Sequence, residues 1–205
     1  MTKQYVLIGT RMFFGLLTLA ALGSQLMVQI QSGFSLINFF SYFTNLSNLF
    51  AAVVMIFVAI NSLRVPRSRP LHDSLRGASV VGMAVVGIVF NLLLRNVDLG
   101  GLLLWVNVVI HYVMPVAAVL DWLVDPPRSK LTLRRIAYWL IFPLCYLAYS
   151  IVRGAIVGFY AYPFFSPDQV GGYGGVGLYC IAIFVLFLIV SWLLLKLGNR
   201  FQQNL

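Results

Sequence analysis

Apolar residues run along this chain in long, unalternating blocks, and the polar residues that interrupt them fall at a few places. Six blocks, at 12–30, 38–61, 77–94, 101–123, 136–157 and 174–195, approach or exceed the ~20 residues a helix needs to cross hydrocarbon. A barrel strand would alternate polar and apolar positions, and no such alternation runs through them. The pattern predicts an all-α polytopic membrane protein with six transmembrane helices. It forms one domain over residues 1–205, with no internal repeat and no linker long enough to divide it. Pro115 and Pro143 fall inside predicted spans. In lipid a kink there is tolerated, because a neighbouring helix can satisfy the freed carbonyl.

Composition agrees. Sixty-one percent of residues are hydrophobic and 9% are charged, against about 25% charged in soluble domains. That excludes a soluble enzyme and a disordered chain. The fourteen basic residues face five acidic ones, all of them Asp, for a net charge of +9. No basic run is long or aromatic enough to form a nucleic-acid groove, so the charges read as flanks of membrane spans. Lys3 and Arg11 precede span one; Arg64, Arg67, Arg69 and Arg76 join spans two and three; Arg128, Lys130, Arg134 and Arg135 join spans four and five; Lys196 and Arg200 follow span six. With six spans these twelve fall on one side, and Arg95 and Arg153 alone fall on the other. The positive-inside rule then puts both termini in the cytoplasm. The first span reads as an uncleaved anchor, with a signal peptide cut near Ala20 or Gly23 as the alternative. Cys145 and Cys180 read as small core residues.

Ionisable and polar groups at membrane depth carry the functional signal. His111 lies about ten residues into span four, ~15 Å along a straight helix. It is either helix–helix glue or a general base; a haem ligand is disfavoured because the other histidine, His72, falls in a predicted loop. Asn107 stands one turn from His111 on the same face. In span two, Ser41, Thr44, Ser47 and Asn48 recur at helical spacing and predict a polar stripe turned into the bundle. That stripe supplies interhelical hydrogen bonds or a nucleophile. Asn91 and Arg95 end span three on the same side, and Arg153 ends span five there. Asp121 lies ~15 Å beyond His111 and reads as a salt bridge or cap rather than a proton relay. The aromatic, proline-rich connection 158–173 is either an interfacial anchor or the wall of a lipid-accessible cavity.

Phe43-Thr44-Asn45-Leu46-Ser47-Asn48, then Asn107 and His111 with Met114-Pro115, then Tyr162-Pro163-Phe164, together resemble the androgen-induced protein family, in particular its bacterial six-helix members. The resemblance follows the span order across most of the chain. The family's animal members are intramembrane threonine hydrolases that cleave fatty acid esters of hydroxy fatty acids. The resemblance implies that Thr44 is the nucleophile and His111 the base, with the acidic position kept at Asp121. The proline after the histidine stands one residue closer here. It also implies a lipid-ester substrate and a bacterial cell membrane, with a site opening to the non-cytoplasmic half. A threonine hydroxyl needs an adjacent base. Asn45, Asn48 and Asn107 are candidate oxyanion donors, and Arg95 or Arg153 could hold a substrate carboxylate or anchor headgroups. No metal-binding set, phosphate loop or cofactor motif is visible. A small-molecule or lipid transporter using the same polar cavity, or a purely structural bundle, are the alternatives.

Overall fold

The computed structural model describes residues 2–64, 70–97 and 101–202. Arg67 and Arg69 lie outside them. In chain order the helices are α1 (Thr2–Gln31), α2 (Leu36–Phe40), α3 (Phe43–Arg64), α4 (Pro70–Val89), α5 (Leu104–Val108), α6 (Met114–Val124), α7 (Arg134–Val157) and α8 (Tyr173–Gln202). Helix α4 runs on into a π-turn, Phe90–Leu94, and a second π-turn, Val109–Val113, joins α5 to α6. Among the described residues, six helical stretches are long and apolar enough to span a membrane: Lys3–Gln31, Phe43–Leu63, His72–Leu94, Leu104–Val124, Arg134–Val157 and Tyr173–Gln202. The all-helical, six-span expectation holds.

Several boundaries move, each for a physical reason. Span one begins well before residue 12, so Arg11 lies within a helix and is 2% exposed. Span two begins at Phe43 rather than 38, because the chain breaks at Ser41-Tyr42 after the short α2. The polar groups of that break are satisfied from span five. Tyr146 donates to the Ser41 carbonyl at 2.9 Å, and Tyr149 Oη lies 2.8 Å from Ser41 Oγ. Ser41 therefore precedes the helix that carries Thr44, Ser47 and Asn48. His72 sits in α4 rather than in a loop, its ring edge-on to Phe57. Cys145 is exposed on the bundle surface rather than packed in the core.

Span three is the most buried of the six and forms the centre, packed against α3, α6, α7 and α8, while α1 lies along α3. Small residues allow this. A Cβ at Gly77 would come within 2.2 Å of the Trp139 ring, and one at Gly15 within 2.7 Å of Ile56. Close backbone approach through glycine is how helices gain contact when lipid offers no hydrophobic contrast. The outer faces are bare apolar surface: Leu104 is 83% exposed and Ile156 76%.

One end of the bundle is held by charge. Arg11 Nε meets Asp121 at 2.6 Å and its Nη2 meets Asp125 at 2.7 Å; Arg76 Nη2 reaches Asp121 at 2.9 Å and the Asp125 carbonyl at 2.7 Å. Spans one, three and four are thereby tied together. Asp121 serves as a structural ion-pair partner, far along span four from His111. Nearby, Trp122 is fully buried, donates to the Leu194 carbonyl and lies under the Arg76 guanidinium. Removing Asp121 leaves the buried Arg11 with Asp125 as its one carboxylate and Arg76 with the Asp125 carbonyl, so two buried cations lose countercharge. Asp121→Ala should therefore cost about 3–5 kcal/mol, read as a lowered thermal unfolding midpoint in detergent; an unchanged midpoint would contradict this role.

Candidate active site

At the end away from that cluster, the site begins with a proline. Pro115 has no N–H to give the preceding turn. The chain widens there into the π-turn Val109–Val113, in which the Met114 N–H reaches the Val109 carbonyl. Such turns are rare and recur at functional sites. Span three carries its own π-turn opposite, and Gly87 keeps the two close: a Cβ there would lie 3.1 Å from Pro115 and 3.7 Å from the His111 carbonyl. The two irregular turns put Phe90 flat against the His111 imidazole, with centroids 3.7 Å apart and planes 14° from parallel.

His111 is 5% exposed, and its Nδ1 lies 2.6 Å from Asn107 Oδ1. An amide oxygen only accepts, so Nδ1 carries the proton and Nε2 presents its lone pair. This is the arrangement a general base requires: one ring nitrogen oriented, the other available.

Thr44 is the second residue of α3, so its N–H is one of the donors a helix start leaves without an intrahelical partner. The Tyr162 hydroxyl accepts it at 3.0 Å and lies 3.1 Å from Thr44 Oγ1. Tyr162 comes from the aromatic, proline-rich connection, which folds inward rather than lying as an interfacial anchor. Tyr162, Phe164 and Phe165 are all buried. Phe164 stacks on the Tyr162 ring at 5.1 Å and 9°, and Tyr42 meets it edge-on at 5.7 Å. Burial pushes the Tyr162 phenol pKa up to about 12, so at neutral pH it stays a donor.

Asn48 ties the two halves together. It is fully buried, and its Nδ2 donates to the Thr44 carbonyl at 2.9 Å and to the Ile110 carbonyl at 3.1 Å. One amide thus locks the turn bearing Thr44 to the residue before His111.

Two chambers meet at this point. A polar one is lined by Thr44, His111, Tyr162, Asn45, Gln25 and Gln29 among others. An apolar one runs between spans three, five and six, with Phe90, Pro143, Cys180 and Phe187 on its walls. Thr44 and Tyr162 line both.

The residues selected from sequence separate accordingly. Thr44, His111 and Asn45 share the polar chamber. Asn48 and Asn107 stand behind it, with both Asn48 amide protons already given to carbonyls. Asn45 gives one of its two amide protons to the Phe39 carbonyl. Arg95 is exposed. Arg153 donates to Asn38 Oδ1 at 2.6 Å and lies over the Phe159 ring, away from both chambers' walls. Among the described residues no group of three His, Cys or acidic side chains is arranged to hold a metal.

Three participants escaped the sequence. Tyr162 was visible in the aromatic loop and in the Tyr162-Pro163-Phe164 motif, with no role beside Thr44. Gln25 clamps the entry to span four, donating to the Gly101 carbonyl and accepting from the Leu103 N–H; its signal was a glutamine inside an apolar block. The facing π-turns had one cue, Pro115 just after His111. Compared with protein-family models, curated proteins and solved structures, the chain matches none.

Asn48→Leu removes the donor from two buried carbonyls at similar side-chain size. It should cost about 1–3 kcal/mol, seen as a lower unfolding midpoint. A midpoint at the native value would mean the bridge carries no weight.

Proposed function

We propose that this protein is an intramembrane lipid-ester hydrolase with Thr44 as nucleophile and His111 as general base. One observation carries the reading: Thr44 lines a polar chamber that also holds the His111 imidazole, and an apolar one walled by Phe90, Pro143 and Phe187. An ester carbonyl at Thr44 would have its acyl chain in the apolar chamber and its alcohol portion in the polar one. This suits an ester set within hydrocarbon, such as the fatty acid esters of hydroxy fatty acids that the family resemblance implies.

The chemistry follows from the groups present. Thr44 Oγ1 attacks the carbonyl carbon and its proton passes to His111 Nε2. The tetrahedral intermediate collapses, the bond to the alcohol oxygen breaks, and His111 returns the proton to the leaving alcohol. Water then attacks the acyl-threonine; His111 takes its proton and restores it to Thr44. Asn107 keeps the imidazole in the tautomer this needs. The twelve-to-two distribution of basic residues supports cytoplasmic termini, with the chambers in the opposite half of the membrane and water reaching them from that side.

Purified protein in detergent or liposomes should hydrolyse a fatty acid ester of a hydroxy fatty acid or a long-chain p-nitrophenyl ester. His111→Ala should lower turnover by about 10²–10⁴-fold, and Thr44→Ala should abolish labelling by an alkyl fluorophosphonate mapped to residue 44. Unchanged turnover in both variants, or gradient-driven uptake without ester cleavage, would overturn the hydrolase reading.

A further inference from the structure

The contact between Thr44 and Tyr162 contains more than a helix cap. The pair has two hydroxyl protons and one O···O contact, at 3.1 Å. One proton is therefore not used between them. The Tyr162 oxygen already accepts the Thr44 N–H at 3.0 Å. That N–H sits in the first turn of α3, where the aligned peptide dipoles leave partial positive charge. Accepting it strengthens the phenol as a donor, because hydrogen bonds in series polarise one another. The phenol is fixed by the Phe164 stack and by Tyr42 edge-on, and it lies at the junction of the two chambers. A donor held there before reaction needs no reorganisation during it.

Resting on the hydrolase reading, we propose that Tyr162 is a further catalytic residue of this site, whose hydroxyl donates a hydrogen bond to the oxyanion formed when Thr44 attacks an ester carbonyl. As the Thr44 oxygen bonds to the carbonyl carbon, the carbonyl π pair moves onto the carbonyl oxygen and the Thr44 proton goes to His111. The Thr44 oxygen then becomes an ether-like acceptor of low basicity. The developing oxyanion beside it is far stronger, and the Tyr162 proton turns to it without leaving the phenol. This role fits Tyr162 better than Asn48, whose amide protons are both spent on carbonyls, or Asn107, which lines neither chamber; Asn45, which lines the polar chamber and gives one of its two amide protons to the Phe39 carbonyl, does not line the apolar one. Phenol burial keeps the proton on Tyr162 throughout.

The test compares native protein, Tyr162→Phe and Thr44→Ala on a long-chain p-nitrophenyl ester, with thermal unfolding alongside. Tyr162→Phe keeps the ring packing and loses only the hydroxyl. It should fold, lower kcat by about 10²–10³-fold, leave KM near its native value, and weaken binding of an alkyl boronic acid, a mimic of the tetrahedral intermediate, by a similar factor. A role confined to capping α3 would lower the unfolding midpoint and leave kcat and boronate affinity of the folded fraction unchanged, and that result overturns the proposal. If Tyr162→Phe does not fold, fluorinated tyrosines at position 162 decide: kcat rising with phenol acidity supports the donor role, and kcat independent of it refutes the role. Thr44-dependent turnover that is indifferent to Tyr162 sinks this inference alone. Turnover that is absent, or indifferent to Thr44, sinks the hydrolase reading and the inference with it.

Discussion

A backbone carbonyl in hydrocarbon has no water to turn to, so any break in a membrane helix must be answered by another part of the protein. That constraint organises the site. Where spans two and four approach, the answer is the Asn48 side-chain amide, which reaches one carbonyl in each helix. Where the chain breaks before span two, the answer comes from Tyr146 and Tyr149 of span five. Where span two starts, its orphan N–H is taken by Tyr162 from the connection before span six. The repairs draw on spans four and five and on the connection before span six, and together they surround Thr44 with hydrogen-bonded neighbours. A site built from such repairs is rigid because its backbone has no other partner.

The opposite end of the bundle achieves order by charge. Arg11, Arg76, Asp121 and Asp125 fasten spans one, three and four with buried ion pairs. The two ends divide the work. Charge and tryptophan fasten one end, and the two chambers that share Thr44 lie at the other. Span three passes through both regions, giving Arg76 to the ion cluster and Phe90 to the imidazole stack.

Much of the architecture was legible in the sequence because span count depends on apolar length, and length survives errors of a few residues. Thr44, Asn107 and His111 stood out because a polar group inside an apolar block is costly. The Asn107–His111 pair followed from a four-residue spacing on one helix. The break at Ser41-Tyr42 was not legible, since it changes backbone pairing without changing hydropathy. Arg11 read as a flank because it lies near the first residue, although Asp121 and Asp125, one turn apart, were the signal of a buried partner. The contact of Tyr162 with Thr44 was beyond reach for a different reason: it spans 118 residues, and no local pattern encodes it.

The two facing π-turns have a consequence for how this site can change. A π-turn accommodates one residue more than the regular helix would hold over the same rise, and a single residue corresponds to about 100° of rotation. Shortening Val109–Val113 by one position would restore an even spiral through span four and swing Asn107 and everything before it around the helix axis relative to Pro115. The imidazole and its amide partner would no longer share the side that meets Phe90. The face that carries His111 is thus set by a surplus residue on each of two neighbouring helices, and a change of length there would dismantle it while leaving six intact spans.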